Sequence, residues 1–473
     1  MSGPGPDPET AAVGGTAGGA ARSSPAGFVQ RRDRLAAALR EQAAHAAGPG
    51  RVGLAKDTSN LFRDRSRRGK QLLDVRDFDH VLTVDAAGGW VEAEGMARYE
   101  TLVNTTLLAG RMPVVVPQLK TITLGGAAAG VGIEASSFRH GLVHESLLEA
   151  EILTGDGRIL VCTPDNDHRD LFHGLANSYG TLGYALRLRA RTVPVRPYVQ
   201  LAHQRFDSAP AFFDALAAAC AGDADFVDGV AFAPGELYLN TARFVPTAPF
   251  VSDYGFEHIY YRSIRERELD YLCVSDFIWR WDTDWFWCSK NVGAQVPWIR
   301  RLYGRRRLGS RTYQRIMRWN SRLGAARALE RLRHAHVESV IQDVDVPIEQ
   351  AGEFLAFFQR EVGIEPVWIC PVVAGPAAQR FVLYPMRAGR FYVNFGFWDV
   401  VRRSERFEPA HFNRLVEAKV GELGGIKSLY SDSFYSREQF DARYGGDAYR
   451  ALKARYDPHG VFPDLYEKCV LRH

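Results

Sequence analysis

Thr121-Ile-Thr-Leu-Gly-Gly-Ala-Ala-Ala-Gly-Val-Gly-Ile-Glu-Ala-Ser136 is a glycine-rich stretch that follows a predicted apolar strand. Its glycines Gly125, Gly126, Gly130 and Gly132 have no Cβ, so their backbone N–H groups are able to approach an anion closely. A diphosphate is the ligand that suits this pattern best. The stretch lacks the GxGxxG of a Rossmann fold and the GK[ST] of a P-loop. Taken alone, it is equally compatible with a tight structural turn.

The chain has 473 residues, which is more than a single hydrophobic core usually serves, so we expect two lobes, or one lobe with a large insertion. Hydrophobic residues make up 46% and charged residues 24%, a balance typical of a folded protein rather than a disordered one. The net charge of +4 is too small to support a nucleic-acid function, so we expect no nucleic-acid partner. The sequence indicates no particular oligomeric state.

The six cysteines are scattered, without CxxC pairs or Cys/His clusters, which argues against a disulfide framework and a zinc site. Asp276, Asp282 and Asp284 lie near one another but lack histidine partners, so we predict no metal. The sequence has no run of 18 apolar residues and no signal-peptide pattern at its N-terminus. We therefore expect a cytoplasmic protein.

Composition divides the chain into five segments. Residues 1–27 consist mostly of Gly, Ala, Pro and Ser, and we predict a disordered tail. Residues 28–50 have the Arg, Leu and Ala content of a leading helix. The remainder is predicted as an α+β lobe over 51–196, a second α+β lobe over 197–429, and a C-terminal segment over 430–473.

Local patterns in the first lobe predict hairpins and one helix. The first hairpin has a glycine-containing turn, and the second turns at Gly155-Asp-Gly157. The predicted hairpin strands are 80–84 with 90–94 and 148–152 with 158–162; between the hairpins we predict a helix over 98–108 and a strand over 113–117.

Tryptophan is concentrated in one segment of the second lobe. Five of the nine tryptophans lie between Trp279 and Trp298. Two interpretations remain open: core packing, or the wall of a pocket for a bulky apolar substrate.

Arginine is concentrated directly after it. Between Arg300 and Arg333 there are twelve arginines and one acid, Glu330, interleaved with apolar residues. Two interpretations explain this pattern equally well. One is a solvated helical face, and the other is a basic amphipathic segment that contacts anionic lipid headgroups.

Further motifs surround the glycine-rich stretch in a recognisable order. They are the upstream loop Lys56-Asp-Thr-Ser-Asn60 and, downstream, Phe138-Arg-His-Gly141, the second hairpin, Asp170-Leu-Phe172 and Ser178-Tyr-Gly-Thr-Leu-Gly183. This order resembles the FAD-binding domain of the vanillyl-alcohol oxidase and p-cresol methylhydroxylase (PCMH) superfamily. The resemblance covers residues 52–195. It implies a two-lobed α+β fold, with a PCMH-type FAD-binding domain and a second α+β substrate (cap) domain.

A narrower resemblance extends over residues 50–470. The segments TLGG, GVGIEASS, CTPDNDHRDLF, WFWCSKNVGAQVPWIRRLYG, WICPVV, LYSDSFYSREQF and YDPHGVFPDLYEK are similar to the Δ24-sterol reductase family, including its bacterial branch of methylene-fatty-acyl reductases. The low-complexity tail stands where the animal enzymes have a membrane anchor. That difference, and a composition rich in Ala, Gly and Arg, favour a branched acyl substrate over a sterol.

The resemblance implies which residues bind FAD. Residues from Thr123 to Ser136 would wrap its diphosphate, with the loop from Lys56 to Asn60 on the other side. Some relatives attach the flavin to a histidine of that loop, but the loop contains no histidine here. We therefore expect non-covalent FAD. The implied set is Lys56, Thr58, Ser59, Asn60, Thr123, Gly125, Gly126, Gly130, Gly132, Ser136, His140, Gly141, Gly180, Thr181 and Gly183.

Reducing a carbon–carbon double bond requires a hydride, which no side chain donates, and a proton from a positioned acid. The resemblance implies that FAD supplies the hydride and that NADPH reduces the FAD. In Leu429-Tyr-Ser-Asp-Ser-Phe-Tyr-Ser436, which relatives fold back toward the flavin, we predict Tyr435 as the acid, with Tyr430 second and Asp432 nearby. Lys290 is a further candidate, either for a phosphate or for a structural ion pair.

The predicted function is FAD-dependent reduction of a double bond in a lipophilic substrate, either a sterol side chain or a methylene-branched acyl chain carried on a phospholipid. Two alternatives remain: a flavin oxidase of the same fold that uses oxygen, and a non-catalytic protein that binds lipid surfaces.

Overall fold

The computed structural model describes residues 24–45, 52–57, 62, 70–323 and 335–472. Most of the predicted tail and the three residues Thr58, Ser59 and Asn60 lie outside the described residues. No helix in the described ranges is both long enough and apolar enough to cross a bilayer.

The leading helix, α1, spans Pro25–His45 and begins before the predicted position. Ser24 explains the earlier start, because its Oγ accepts a hydrogen bond from the Gly27 N–H at 3.1 Å and caps the helix. One face of α1 packs Phe28 and Leu39 into a core shared with the first lobe. Arg32 pairs with Glu151 of that lobe at 2.8 Å, so α1 belongs to the folded body.

The first lobe contains a parallel pair, β1 with β2, and an antiparallel sheet of six strands in the order β3-β4-β8-β6-β7, with β5 paired to β8. Four short helices connect these strands. The strands are β1 (Val52–Ala55), β2 (Gln71–Asp74), β3 (Val81–Asp85), β4 (Trp90–Glu94), β5 (Arg111–Pro113), β6 (Leu147–Leu153), β7 (Ile159–Cys162) and β8 (Tyr184–Pro194), and the helices are α2 (Tyr99–Leu108), α3 (Leu124–Ala129), α4 (Ser137–His140) and α5 (Arg169–Gly174).

The structure corrects one sequence prediction for this lobe and defines the conformation of the glycine-rich stretch. The strand predicted over 113–117 ends at Pro113, and the buried residues that follow run in irregular backbone into the glycine-rich stretch. The glycine-rich stretch, for which the sequence left a tight turn open, contains a short helix: α3 begins at Leu124, and Thr123 Oγ1 caps it by accepting from the Gly126 N–H.

The second lobe is built on an eight-stranded antiparallel sheet in the order β12-β9-β11-β10-β14-β15-β13-β16. Longer helices cover one face of this sheet. The strands are β9 (Tyr198–Phe206), β10 (Phe226–Ala233), β11 (Glu236–Val245), β12 (Leu269–Cys273), β13 (His336–Pro347), β14 (Val367–Val373), β15 (Phe391–Arg403) and β16 (Ile426–Lys427), and the helices are α6 (Ala209–Ala221), α7 (Tyr260–Ser263), α8 (Val274–Ile278), α9 (Pro297–Tyr303), α10 (Ser310–Leu323), α11 (Ile348–Glu361) and α12 (His411–Glu422).

The pairing of β13 with β15 sets which side chains share a face. Asp343 lies opposite Gly396, and Asp345 lies opposite Asn394. Because side chains alternate along a strand, these two aspartates point to the same face of the sheet. The other face carries Val344 and Phe395, which pack into the core beneath α11 and α12.

The C-terminal segment returns to the first lobe through α13 (Arg437–Arg443) and α14 (Gly446–Tyr456). Tyr456 donates a hydrogen bond to Asp170 at 2.6 Å, and Lys453 donates to the carbonyl of Thr181 at 2.7 Å. The fold is therefore a two-lobed α+β structure whose chain end packs against its beginning.

Candidate functional site

A cavity of about 340 Å³ lies where the two lobes meet. One wall comes from the glycine-rich stretch and its neighbours in the first lobe. The opposite wall comes from β13, β14 and β15 of the second lobe and from the Trp-rich segment. Tyr430, Pro463 and Lys468 of the C-terminal segment complete it. The size and the composite lining are those of a ligand site rather than a packing defect.

The glycine-rich wall has no room for side chains. A Cβ added to Gly125 would lie 2.7 Å from the Gly95 carbonyl oxygen, and one added to Gly130 would lie 2.7 Å from the Gly126 carbonyl oxygen. These glycines are needed for close chain packing, and they leave the cavity wall smooth. Gly125, Gly126, Gly130 and Gly132 all line the cavity, as does Thr123.

The backbone amides of this wall differ from expectation. The Gly125 N–H donates to the Gly95 carbonyl at 2.9 Å, and the Gly126 N–H donates to Thr123 Oγ1 at 3.1 Å. These two amides serve the start of α3 instead of pointing at an anion. The glycines thus shape the site by contact, and the polar partners of a dinucleotide have to come from other residues.

Gln118 is one such residue, and sequence reasoning missed it. Its side chain is 4% exposed, lines the cavity, and neither its Oε1 nor its Nε2 has a hydrogen-bond partner among the described residues. A buried amide without partners is unfavourable unless a ligand or water satisfies it. Lys56, Lys70 and Lys468 also line the cavity and supply positive charge suited to a diphosphate. The residues present therefore fit an FAD.

The backbone is strained where it borders the cavity. Val131, Tyr179, Trp285 and Phe286 all line it, and their φ angles are 51°, 49°, 46° and 59°. Non-glycine residues rarely adopt this left-handed region, and such strain persists where function requires it. Two of these residues belong to the first lobe and two to the second, so both walls of the cavity contain strained backbone.

The wall from the second lobe is aromatic. Phe286 lies 4.5 Å from Trp398 and 5.5 Å from Trp368, measured between ring centroids, and all three line the cavity with Trp285. Trp281 and Trp287 of the same segment are buried in the core instead. The Trp-rich segment therefore serves both of the purposes left open by the sequence: part is core and part is cavity wall.

Two aspartates interrupt this apolar wall. Asp343 and Asp345 both line the cavity. Burial, with a smaller contribution from the charge of Asp345, raises the pKa of Asp343 to about 8, and a hydrogen bond with Tyr430 acts in the opposite direction. Burial also raises the pKa of Asp345, to about 6, opposed by hydrogen bonds from Tyr384 and Asn394. At neutral pH the first is protonated and the second is ionised.

Tyr430 stands beside this pair. Its hydroxyl oxygen accepts a hydrogen bond from Trp398 Nε1 at 2.8 Å, and it lines the cavity. Burial and the charge of Asp343 raise the pKa of Tyr430 well above its ordinary value. The phenol is therefore neutral at all ordinary pH values, and it hydrogen-bonds with the side chain of Asp343.

The other three predicted catalytic residues do not line the cavity. Tyr435, the first choice, is buried against Tyr444 with ring centroids 6.0 Å apart. Asp432 lies 3.4 Å from Arg472, and Lys290 forms an ion pair with Asp399 at 2.6 Å. Of the four predicted catalytic residues, only Tyr430 lines the cavity.

The predicted FAD-binding residues divide in the same way. Lys56, Gly180 and Gly183 line the cavity together with Thr123 and the four glycines. Four others lie outside its lining: Ser136 and Thr181 donate to backbone carbonyls at 2.7 Å and 2.8 Å, Gly141 packs on Glu145, and desolvation lowers the pKa of His140 to about 4. These four residues therefore lie outside the surface of the cavity.

Comparisons with known proteins agree with this geometry. A family described as an FAD binding domain matches residues 33–163. The Δ24-sterol reductase of Homo sapiens is 26% identical over 407 residues, covering 82% of this chain and 75% of the human protein. The Δ24-sterol reductase of Pisum sativum is 24% identical, covering 84% and 76%.

A third relative matches over a shorter length. Cytokinin dehydrogenase 9 of Oryza sativa is 31% identical over 108 residues, 23% of this chain and 20% of the rice protein. The long alignments and the FAD-binding match together identify the chain as an FAD-dependent oxidoreductase with a PCMH-type FAD-binding domain, similar to Δ24-sterol reductases over most of its length.

Proposed function

We propose that this protein reduces a carbon–carbon double bond in a long apolar substrate, using NADPH as the electron donor. The observation that carries the proposal is the pairing of walls across one cavity. A smooth glycine wall fitted to a dinucleotide faces an aromatic wall whose acidic groups include one protonated carboxyl. Carbon–carbon reduction needs this combination of an apolar substrate site and a proton source beside the cofactor.

When bound, FAD supplies the hydride chemistry that amino-acid side chains lack. The chain contributes the rest. Thr123 and the glycines shape the wall, Gln118 offers a donor and an acceptor, and the lysines neutralise phosphate charge. Trp285 and Phe286 exclude water from the other side, which strengthens every electrostatic interaction inside.

NADPH is proposed to enter the same cavity in turn with the lipid. The described residues form one glycine-rich dinucleotide wall and no second nucleotide-binding lobe. With one such cavity, NADPH and the lipid have to bind in turn. This predicts competition between NADPH and the lipid substrate.

The substrate is proposed to be a methylene-branched acyl chain or a sterol side chain. The relatives are named as Δ24-sterol reductases, and their alignments cover 82% and 84% of this chain. The aromatic wall suits either apolar chain, since rings recognise shape and not a polar group.

We further propose that α9 contacts an anionic lipid surface. Trp298 and Leu302 are 67% and 75% exposed, four residues apart on one face, and Arg301 beside them is also exposed. Exposed apolar side chains with a cationic border are typical of interfacial helices. The contact is shorter than the one predicted from Arg300 to Arg333, because Arg300 is buried and pairs with Asp284 at 2.7 Å. Residues 324–333 lie outside the described residues.

This surface is linked to the cavity through α10. Tyr313 of α10 stacks on Trp285 of the cavity wall, with centroids 6.5 Å apart. Gln314 donates to Thr121 at 3.1 Å, at the start of the glycine-rich stretch. A substrate leaving a bilayer at α9 would therefore meet the aromatic end first.

The experiment is to incubate the purified protein with NADPH and lipid extract under nitrogen, then search by mass spectrometry for lipids that gain two hydrogens. We expect such products in an acyl or a sterol fraction, which also identifies the substrate. Rapid peroxide formation in air without lipid reduction would favour an oxidase. A protein with no flavin absorption that still binds anionic vesicles would be a non-catalytic lipid binder.

A further inference from the structure

We propose that Asp343 is the acid that protonates the substrate carbon, with Asp345 and Tyr430 as its positioning residues. The inference rests on the proposed reduction and names the group that completes it. Four features of the cavity carry it: the register of the sheet, the unpaired oxygen of Asp343, the pairing of Asp345, and the network around Tyr430.

The register of the sheet makes room for the Asp343 carboxyl. Asp343 lies opposite Gly396 on β15. A Cβ at position 396 would lie 2.7 Å from Asp343 Oδ1 and 2.6 Å from the ring of Trp398. Only glycine at this point allows the carboxyl and the indole to share the same face. The space for the Asp343 carboxyl therefore results from the pairing of β13 with β15 and not from a flexible loop.

The Asp343 carboxyl has unused hydrogen-bonding capacity. Its Oδ1 is shielded from solvent and has no hydrogen-bond partner among the described residues. An ionised carboxylate in this position would be strongly unfavourable, whereas a neutral acid is tolerated. The group lines the cavity that would hold the substrate. A neutral acid that faces an apolar substrate is what proton delivery to carbon requires.

Asp345 has the opposite environment. Tyr384 donates a hydrogen bond to its Oδ2, and Asn394 Nδ2 donates to its Oδ1 at 3.0 Å. These donors hold Asp345 as the charged member, and its charge keeps the proton on Asp343. The remaining titratable groups that line the cavity are Lys56, Lys70, Tyr179, Tyr184, Cys288, Tyr384, Tyr430 and Lys468.

Tyr430 stabilises the product form of the acid. Its oxygen accepts from Trp398, and its side chain also hydrogen-bonds with Asp343, an interaction that favours the carboxylate remaining after proton transfer. The balance is simple. NADPH would be oxidised to NADP⁺, and its hydride would reach the substrate by way of bound FAD and add to one carbon. The Asp343 proton would add to the other carbon as the π bond is consumed, and the carboxylate would regain a proton from water.

The test uses the flavin-loaded protein and measures two steps separately: reduction of the flavin by NADPH and its reoxidation by the lipid. Asp343→Asn keeps the shape of the side chain and removes the acidic proton. The matched control is Asp399→Asn on the same sheet, whose side chain pairs with Lys290 outside the cavity. For each protein we would measure flavin reduction by NADPH, flavin reoxidation by the lipid, and the infrared band of protonated carboxyl groups at pH 7.

We expect Asp343→Asn to reduce its flavin within about twofold of the wild-type rate and to reoxidise it with lipid roughly 10²-fold or more slowly. Its infrared spectrum should lack one protonated-carboxyl band, and Asp399→Asn should match the wild type in every readout. Lipid turnover within threefold of wild type, or an unchanged infrared spectrum, overturns the inference.

A second variant protects the test against misfolding. Asp343→Glu keeps a carboxyl, so its infrared band should persist at a shifted frequency, and an unshifted band would overturn the inference. The infrared readout needs no substrate. If the wild type reduces no lipid, the proposed function fails by itself, and loss of the band in Asp343→Asn would still support a neutral acid in the cavity.

Discussion

At the scale of single residues, the site depends on groups held in states they would not adopt in water. The Asp343 proton and the left-handed backbone of Trp285 and Phe286 are both unfavourable in isolation. Both occur on the wall that would contact substrate. The surrounding packing must therefore maintain them, and removing a neighbour should shift them in a direction that the structure specifies.

Two substitutions beside Asp343 should move the pH profile in opposite directions. Asp345→Asn removes a negative charge that raises the pKa of Asp343, so the alkaline limb of lipid reduction should move to lower pH. Tyr430→Phe removes a hydrogen bond that lowers this pKa, so the limb should move to higher pH. The measurement is kcat/KM for the lipid from pH 6 to 10. Shifts of equal sign would contradict the assignment.

The raised pKa of Asp343 should also make the free energy of unfolding depend on pH. The folded-state pKa of Asp343 is raised above its unfolded value, so the unfolded state binds fewer protons between about pH 4 and pH 8, and stability falls across that window. Asp343→Asn removes this contribution. The melting temperature of the variant relative to the wild type should therefore rise between pH 5 and pH 8, and a difference independent of pH would argue against a buried neutral acid.

At the scale of elements, the glycine-rich helix α3 fits its neighbours without spare space. Gly125→Ala would bring its Cβ to 2.7 Å from the Gly95 carbonyl oxygen, which is rigid backbone. We expect α3 to shift and FAD affinity to fall at least tenfold, measured by flavin retention on gel filtration. Gly352→Ala in α11 is the control, since its nearest neighbour atom lies 3.9 Å away and alanine favours helix. Equal flavin retention in both variants would show that the close packing of α3 is dispensable.

The exposed face of α9 gives a second prediction at this scale. The double variant Trp298→Ala, Leu302→Ala should bind anionic vesicles roughly tenfold more weakly or worse, because two large side chains no longer enter the interface. Leu108→Ala removes an even more exposed leucine from α2 and should have no effect. Vesicle sedimentation at low and high salt measures both. Equal loss in the two variants would contradict a localised contact.

At the scale of the whole molecule, the two walls of the cavity differ in how far sequence could predict them. The glycine wall is local, because its residues follow one another and their spacing carries the signal. The aromatic wall joins Asp343, Trp368 and Trp398, which strand pairing brings together, with Trp285 of the Trp-rich segment. One clue was available: two acids alternate with valines in Val340-Ile-Gln-Asp-Val-Asp-Val346, so both had to face one side of a buried strand.

The cavity is shared by both lobes and the C-terminal segment, so its ligand should stabilise the molecule as a unit. Ligand that binds only the folded state adds about 2.7 kcal/mol at a concentration 100 times its Kd. Apoprotein should therefore gain thermal stability when FAD is added, in one cooperative transition that includes both lobes. FMN lacks the adenylate half and would fill less of the glycine-lined wall, so it should give a smaller gain at equal concentration. Calorimetry of the apoprotein with each flavin measures this. An equal gain from FMN would mean that the glycine wall does not hold a dinucleotide.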